Sequence, residues 1–311
     1  MKKCFLYPGQ GAQYPGMGKD LWDASDEVKK LFADASDQTG MKLQEILFDG
    51  SEEDLKKTEN TQVAVTLVNL AAATYLEEQG LVSDYCAGFS LGEYSALVDS
   101  GVLARSDIFK IVQTRGEIMA RTVESYQEEW GNAGMAAVLA LEFEEALPVL
   151  DDLADEDVFL ANHSSPNQIV IAGTSAGLEK ADLLFEKAGA LRFIRLKVSG
   201  PFHSPLMASA AGDLAEYLDD VDFADPTKPV YANVTGRRIV SGDDARKLCI
   251  DQITSPVLWV TSELHLLQHE PDKVIEVGPG KVLTGLWKSY TKQLRCLPAG
   301  TTADINSLTQ R

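Results

Sequence analysis

The sequence predicts an α/β protein with a mostly parallel sheet and a smaller inserted unit. Short apolar strands at 3–7, 85–87 and 274–277 are each followed by a loop and a helical pattern, which is typical of parallel sheets. Over 135–198 the order changes to βαββαβ, the ferredoxin-like arrangement. Together with a strand, turn and helix around Ser90, these observations predict a hydrolase-like core that carries an inserted ferredoxin-like subdomain.

The length of the chain also suggests more than one structural unit. Its 311 residues exceed the roughly 100–200 residues of a usual single domain. We expect residues 1–130 and 199–311 to form a large catalytic domain, and residues 131–198 to form the small subdomain. A hydrophobic content of 45% and a charged content of 24% are ordinary for a soluble protein with a substantial core.

A loop rich in glycine and proline follows the first strand at 8–18. Its four glycines and two prolines prevent regular structure. Neither G-x-G-x-x-G nor a P-loop is present, so dinucleotide and phosphate sites of those kinds are excluded. Two interpretations remain equally good: a structural turn, or an active-site loop that presents its backbone and the Gln10 amide.

Three helical patterns precede the second strand. Those at 19–38 and 44–57 are polar, and Ser51 heads an S-x-x-D cap within the second. The segment 61–79 is apolar nearly all round, which indicates a buried core helix ended by glycine. Gln62 near its start is a polar group on a core element, and such a group is most often a cap or a hydrogen-bonded amide.

The segment Gly88-Phe-Ser-Leu-Gly92 matches G-x-S-x-G between a strand and a helix, the context of a nucleophile elbow. This turn is so tight that the residues two before and two after the serine must lack side chains. It presents Ser90 clear of the sheet, where the next helix N-terminus offers backbone N–H groups to a developing oxyanion. Ser90 is therefore predicted to be a nucleophile rather than part of a plain turn.

The remaining elements follow in order from a helix at 106–123, which carries Arg115. An arginine on a helix is usually solvated or ion-paired, so its spacing alone assigns it no function. The inserted unit has predicted strands at 135–141, 157–162, 168–172 and 191–198, and helices at 144–153 and 175–188. Beyond it we expect helices at 204–218, 243–253, from 255 and after 280, and strands at 229–234, 274–277 and near 294.

Charge and composition exclude several classes of function. The net charge is −19, and no basic cluster is longer than two residues, so the chain is not expected to bind nucleic acid. The first apolar run stops at Pro8, and no stretch approaches the roughly 18 apolar residues of a membrane span. We therefore expect a cytoplasmic protein that does not bind membranes. The four cysteines are scattered and show no C-x-x-C spacing. Buried, reduced thiols are expected for Cys4, Cys86 and Cys296, which lie in strand-like runs.

A serine nucleophile needs a base, and only four histidines are available. His265 and His269 are four residues apart on a predicted helix, but no H-E-x-x-H accompanies them, so we interpret them as surface residues and expect no metal site. His163, at a strand end, is ambiguous. His203 follows a strand and precedes a helix, where α/β proteins place site residues, and is the best candidate.

The usual third member of a catalytic triad is missing from the sequence pattern. The acidic residues between Ser90 and His203 that could serve lie in the inserted unit, and none follows a strand of the main sheet. An H-G-G-G oxyanion motif is also absent. These observations favour a Ser–His pair that is oriented by a group other than a carboxylate.

Six motifs in order along nearly the whole chain match one family. They are Pro8-Gly-Gln-Gly-Ala-Gln13, Gly88-Phe-Ser-Leu-Gly-Glu-Tyr-Ser-Ala-Leu97, Gln113-Thr-Arg-Gly-Glu-Ile-Met119, Pro201-Phe-His-Ser204, Asp251-Gln-Ile-Thr-Ser-Pro-Val-Leu-Trp259 and Ile275-Glu-Val-Gly-Pro-Gly-Lys-Val-Leu-Thr-Gly285. Together they resemble the malonyl-CoA:acyl carrier protein transacylases of type II fatty acid synthesis, and the related acyltransferase domains of polyketide synthases.

The resemblance implies a ping-pong reaction without a cofactor or metal. Ser90 attacks malonyl-CoA with His203 as base, and the phosphopantetheine thiol of acyl carrier protein then takes the malonyl group. The resemblance also implies that the backbone N–H groups of Gln10 and Leu91 form an oxyanion hole and that the Gln252 carbonyl orients His203. It implies a bidentate pair between Arg115 and the malonyl carboxylate. Gln62 and Asn162 are implied to line the cleft, and Phe202 is implied to select malonyl.

Departures and alternatives remain beside this interpretation. Many family members carry histidine where this chain has Phe89, which changes the pocket wall but not the mechanism. A free-standing polyketide-type acyltransferase, a serine esterase or thioesterase, and a non-catalytic carrier-protein-binding module are the alternatives. Since carrier proteins of this type are expected to be acidic, docking needs a local basic patch, to which we expect Arg192, Arg195 and Lys197 to contribute. We expect a monomer.

Overall fold

The computed structural model describes residues 1–309, and at 129 and 130 it describes the backbone alone. The strands in this part of the chain are β1 (Lys3–Tyr7), β2 (Tyr85–Gly88), β3 (Gly134–Leu139), β4 (Val158–Ser165), β5 (Gln168–Gly173), β6 (Arg192–Arg195), β7 (Val230–Tyr231), β8 (Lys273–Glu276) and β9 (Cys296–Pro298). Its α-helices are α1 (Lys19–Ala24), α2 (Asp26–Thr39), α3 (Glu52–Lys56), α4 (Thr58–Glu78), α5 (Gly92–Asp99), α6 (Ile108–Ser125), α7 (Gln127–Trp130), α8 (Phe143–Asp152), α9 (Ser175–Lys187), α10 (Ala208–Leu218), α11 (Gly242–Asp251), α12 (Trp259–Leu267), α13 (Val282–Tyr290) and α14 (Thr302–Thr309).

The larger sheet has the strand order β7-β2-β1-β8-β9, and its neighbouring strands are parallel. In the central pair, Tyr7 of β1 lies opposite Gly88 of β2. The loop after β1 and the turn after β2 therefore leave the carboxyl edge of the sheet side by side. This edge is where open α/β sheets bind ligands. The predicted α/β core with a mostly parallel sheet is confirmed.

The smaller sheet has the order β4-β5-β3-β6, and its neighbouring strands are antiparallel. Alternation along β3 gives this sheet two apolar faces. Ala136 and Val138 pack in a cluster with residues of α8 and α9, whereas Met135 and Ala137 pack against the core of the larger sheet. The predicted ferredoxin-like arrangement is therefore confirmed, with one face covered by helices and the other turned toward the larger sheet.

Helix α4 runs through the centre of the main core. Fifteen of its 21 residues are buried, because residues such as Val63, Leu67 and Leu70 face packed neighbours on several sides. The predicted core helix is confirmed, and it starts at Thr58 rather than at 61. Among residues 1–309, no helix is long and apolar enough to cross a bilayer.

Several predicted boundaries were wrong for local reasons. The helix at 19–38 is broken by Ser25, which is extended and caps α2 by accepting from the Val28 N–H. The segment 44–57 contains a π-helical turn, Glu45–Asp49, before α3, although Ser51 does cap α3 as predicted. The strand at 229–234 shrinks to Val230–Tyr231, the helix expected from 255 begins at Trp259, and α14 was not predicted.

Backbone hydrogen bonds join one edge of the smaller sheet to the segment before α12 in the large unit. The Val257 N–H donates to the Ala161 carbonyl over 2.8 Å, and the His163 N–H donates to the Val257 carbonyl over 2.9 Å. These bonds form an isolated parallel bridge between Asn162 of β4 and Val257 of the large unit. The exact domain boundaries at 131 and 198 stay a prediction.

Candidate active site

Ser90 occupies the turn between β2 and α5 with a left-handed backbone, φ 51°. The glycines beside it are needed for space. A Cβ at Gly88 would lie 2.0 Å from the Gly92 carbonyl group, and one at Gly92 would lie 2.0 Å from the Tyr7 carbonyl oxygen. The crossing of these chain segments leaves no room for a side chain, as the sequence motif predicts, and it presents Ser90 at the carboxyl edge of the sheet.

His203 lies within hydrogen-bond distance of the serine hydroxyl. Its Nε2 is 2.7 Å from Ser90 Oγ, and its Nδ1 is 2.8 Å from the Gln252 carbonyl oxygen. A carbonyl oxygen can only accept, so Nδ1 carries the proton and Nε2 is free to accept the serine proton. Burial, together with the Arg115 cation, lowers the pKa of His203 to about 4, so the ring is neutral at pH 7. The pair can act as nucleophile and base without a triad carboxylate.

Two backbone N–H groups converge beside Ser90. Gln10 and Leu91 line the same cavity, and in the described chain neither backbone N–H donates to a protein acceptor. The two segments approach closely, since a Cβ at Gly9 would lie 2.3 Å from the Phe89 carbonyl oxygen. Asn69 holds the first segment by donating from Nδ2 to the Pro8 carbonyl over 2.9 Å. Unpaired donors in such a place can stabilise an oxyanion.

Arg115 is almost completely buried on α6, with 1% of its surface exposed. Its Nη1 donates to Gln62 Oε1 over 2.7 Å, and its Nη2 donates to Gln252 Oε1 over 3.0 Å. Its guanidinium also lies over the Tyr94 ring, 5.3 Å from the centroid. Within residues 1–309 no carboxylate forms an ion pair with Arg115, and its Nε has no hydrogen-bond partner. The site therefore contains a buried cation that can receive an anionic ligand.

The predicted residues come together in one small cavity of about 80 Å³. Apolar side chains from α6, β3 and the segment after β6 complete its wall. The predicted residues that line it are Gln10, Gln62, Ser90, Leu91, Arg115, Asn162, Phe202 and His203. Gln252 lies behind them, where its backbone carbonyl contacts His203. Phe89 is also part of the wall, and its ring packs edge-on against Trp259, with 5.3 Å between the ring centroids.

Comparisons with known proteins agree with this arrangement. Residues 4–307 match the acyl transferase domain family. A malonyl CoA-acyl carrier protein transacylase from Bacillus subtilis is 41% identical over 298 residues, which cover 95% of this chain and 92% of that protein. The chain belongs to the acyl transferase family of malonyl CoA-acyl carrier protein transacylases.

Solved structures support the same assignment of this acyl transferase. An acyl carrier protein S-malonyltransferase from Vibrio cholerae is 36% identical, with a TM-score of 0.93 over 99% of this chain and 100% of its own. A malonyl-transacylase solved in complex with its holo type II PKS acyl-carrier protein is 34% identical, with a TM-score of 0.94 over 100% of this chain and 99% of its own.

Two polar residues of the acyl transferase site were not predicted. Asn233 lies in the loop after β7 and hydrogen-bonds the backbone of the elbow. Glu93, in the first turn of α5, is completely buried, and burial raises its pKa to about 7. Its position in the first turn of a mostly apolar helix, three residues after the nucleophile, indicated a buried acid that needs polar partners. Asn233 follows a strand of the main sheet, which was the weaker signal.

The other histidines of the acyl transferase lie outside this cavity. His265 and His269 are half-buried rather than surface residues, because His265 Nδ1 is 2.8 Å from the Gly236 carbonyl oxygen and His269 hydrogen-bonds the Tyr231 hydroxyl. His163 stacks on Phe143 with ring centroids 3.9 Å apart. In the described part of the chain, no group of three or more His, Cys, Asp or Glu side chains is placed to hold a metal ion. The buried, free thiols predicted for Cys4, Cys86 and Cys296 are confirmed, and Cys249 is also free and buried.

Proposed function

We propose that this acyl transferase moves malonyl from malonyl-CoA to the phosphopantetheine thiol of an acyl carrier protein. Ser90 Oγ attacks the thioester carbonyl and His203 Nε2 takes the hydroxyl proton; the C–S bond then breaks, and the departing CoA sulfur takes that proton. A malonyl-serine ester remains. In the second half-reaction the carrier thiol gives its proton to His203, its sulfur attacks the ester, and Ser90 recovers the proton as it leaves.

The geometry supports each of these roles. The 2.7 Å distance between His203 Nε2 and Ser90 Oγ supports His203 as the base, and the 2.8 Å contact of Nδ1 with the Gln252 carbonyl favours the tautomer that the base needs. The backbone N–H groups of Gln10 and Leu91 would donate hydrogen bonds to the carbonyl oxygen as negative charge develops on it. This site holds no cofactor in our proposal, since its own side chains supply the nucleophile and the base.

The burial of Arg115 is the observation that supports malonyl as the transferred acyl group. A guanidinium that is 1% exposed and lacks a carboxylate partner is costly, and a substrate carboxylate in the same cavity would supply the missing charge. Arg115 still has unused N–H donors beyond those bound to Gln62 and Gln252, so it can pair with two oxygens. We propose that Asn162 lines the pocket beside it and that Phe202 restricts the substrate to small, unbranched diacids.

Transfer from malonyl-CoA and from acetyl-CoA to holo carrier protein tests this function. We expect a strong preference for malonyl, and a covalent malonyl adduct on the wild-type enzyme by intact-protein mass spectrometry. Ser90→Ala should form no adduct. Equal transfer of acetyl would refute the role of Arg115, and an adduct on Ser90→Ala would refute Ser90 as the nucleophile.

The alternatives give different products in the same assay. A serine esterase or thioesterase would release malonate to water without carrier protein, and a binding module would leave Ser90 unlabelled. A polyketide-type acyltransferase is the second candidate, because the similar malonyl-transacylase described above is bound to a type II PKS acyl-carrier protein. Transfer rates to a fatty acid carrier and to a polyketide carrier, measured in parallel, separate the two pathways.

Carrier docking is proposed to involve Arg192, Arg195 and Lys197, in and just after β6. These side chains are exposed, and none forms an ion pair within the described residues. Strand alternation places Arg195 and Lys197 on one face and Arg192 on the other, so the first two should contribute together. Reversing the charges of Arg195 and Lys197 should raise the KM for carrier protein. An unchanged KM would refute this docking surface.

The remaining expectations about assembly and location are proposals as well. We propose that the enzyme is a monomer, acts in the cytoplasm and needs no metal. Light scattering at working concentration tests the first, cell fractionation tests the second, and activity after dialysis against a chelator tests the third. A dimer, a membrane-bound pool or lost activity would contradict the corresponding proposal.

A further inference from the structure

Three completely buried polar side chains lie beneath the elbow: Glu93, Asn233 and Gln252. They come from α5, from the loop after β7 and from the end of α11, so they meet only in the folded chain. Buried polar groups are costly unless they are hydrogen-bonded, which makes the partners of this cluster informative. The acyl-transfer mechanism uses the backbone carbonyl of Gln252 but none of the three side chains.

The Asn233 amide binds the elbow on both sides of Phe89. Its Oδ1 accepts from the Ser90 N–H over 2.6 Å, and its Nδ2 donates to the Gly88 carbonyl over 2.6 Å. Ser90 has φ 51°, a left-handed conformation that non-glycine residues rarely adopt. The amide gives the Ser90 N–H and the Gly88 carbonyl their hydrogen-bond partners in this conformation. It therefore stabilises the strained turn.

The Gln252 side chain binds the other side of the nucleophile. Its Nε2 donates to the Ser90 carbonyl over 3.1 Å and to Glu93 Oε2 over 2.8 Å, and its Oε1 accepts from Arg115. Glu93 Oε2 also accepts from the Asn233 N–H over 2.9 Å. One carboxylate oxygen therefore binds both the backbone of Asn233 and the side-chain amide of Gln252, the two residues that hold the N–H and the carbonyl of Ser90.

We propose that Asn233 is a positioning residue that holds Ser90 in its reactive conformation, supported through Glu93 and Gln252. The proposal rests on the acyl-transfer function proposed above. Asn233 does not line the cavity, so it acts on Ser90 and not on the acyl group. Its loss slows attack by the serine while the binding of the substrate carboxylate by Arg115 is preserved.

The test uses Asn233→Ala with two readouts. A fluorophosphonate probe measures the reactivity of Ser90 directly, and steady-state kinetics with malonyl-CoA and holo carrier protein separate kcat from KM. Losing two hydrogen bonds should lower both the labelling rate and kcat about 10- to 100-fold, with KM for malonyl-CoA unchanged within about twofold. Because labelling does not require malonyl, it remains decisive even if the proposed substrate is wrong.

A matched control separates positioning from general loss of stability. Ser100→Ala removes another completely buried side chain that hydrogen-bonds a backbone carbonyl, that of Leu97, just beyond the far end of α5. It should leave the labelling rate unchanged. An equal loss in Asn233→Ala and Ser100→Ala, unchanged labelling in a folded Asn233→Ala, or a loss confined to KM would each overturn the proposal.

Asn233→Asp keeps the side-chain volume and gives a second, independent test. An ionised carboxylate can accept from the Ser90 N–H but cannot donate to the Gly88 carbonyl, whereas a protonated carboxyl can do both. We therefore expect labelling of this variant to rise as the pH is lowered from 8 to 5, relative to wild type at each pH. The wild-type reference removes the titration of His203. The comparison is repeated in a Glu93→Gln background, because the new carboxylate would titrate together with Glu93. A constant ratio of the two rates across this range would overturn the proposal.

Discussion

The pH dependence of Ser90 acylation tests the base of the mechanism. His203 must be neutral to accept the serine proton, and its pKa is lowered to about 4, first by burial and then by the Arg115 cation. Histidine becomes charged on protonation, so a lowered pKa extends the neutral, active form toward acid. Acylation should therefore persist at a pH that would inactivate an ordinary histidine.

The size of the effect follows from the shift. At pH 5 a histidine with a pKa of about 4 is about 90% neutral, whereas one at the ordinary value of 6.5 is only about 3% neutral. The predicted kcat/KM for acylation at pH 5 is thus about 30-fold higher than an unperturbed histidine would allow. Between pH 8 and pH 5, His203 alone should lower the rate by only about 10%.

Single-turnover acylation by malonyl-CoA, quenched and followed by intact-protein mass spectrometry from pH 5 to 8, measures this directly. Glu93 must be separated, because burial raises its pKa to about 7, within the same range. Glu93→Gln removes that titration, so any inflection near pH 7 should disappear in this variant. Circular dichroism at each pH confirms that the protein stays folded.

An inflection near pH 6.5 that persists in Glu93→Gln, with a loss of about 30-fold by pH 5, would refute the reasoning. It would mean that water reaches the ring and that burial does not control His203. A flat profile for Glu93→Gln, with or without an inflection in wild type, would support it. The two profiles together therefore assign each titration to one residue.

Three further substitutions test separate parts of the structure. Arg115→Lys should lower kcat/KM for malonyl-CoA about 100-fold, since an ammonium cannot form the bidentate pair. Acetyl transfer, measured in parallel as a control, should change less than about twofold. Asn69→Ala removes the bond to the Pro8 carbonyl, so single-turnover acylation should slow about fivefold, and an unchanged rate would show that this loop needs no support. Gly92→Ala forces a Cβ to 2.0 Å from the Tyr7 carbonyl oxygen, so the melting temperature should fall by about 10 °C or more, and an unchanged value would contradict the packing.

Local constraints made the elbow predictable from the sequence. Gly88 and Gly92 are required by contacts a few ångströms away, so the motif and its geometry coincide. Arg115 was harder to assign, because a helix arginine is usually exposed. Its spacing nevertheless indicates burial, because it follows Ile111 by four residues and Val112 by three and so lies on the apolar face of α6. The functional role of Arg115 was predicted from the family resemblance, although its position on the apolar face could also have indicated it.

Contacts between distant segments could not be derived from the sequence. Asn233 reaches Ser90 across 143 residues of chain, and Gln252 reaches it across 162, so no local pattern connects them. The strand before Asn233 is only two residues long in the folded protein, which hid the site-facing loop after it. The resemblance gave Gln252 a backbone role, but its side-chain bonds became visible only in three dimensions.

The bridge at Val257 makes the two edges of the smaller sheet differ in how they are attached to the large unit. At the β4 edge two backbone hydrogen bonds tie the smaller sheet to the large unit. After β6, at the opposite edge, Leu196 and Val198 pack against the main core, and the hydroxyls of Thr58 and Ser199 lie 2.7 Å apart. Directional main-chain bonds therefore fix the wall of the cavity that contains Asn162 to the large unit. The opposite wall, formed by Leu196 and Val198, depends on apolar packing and on side-chain contacts instead.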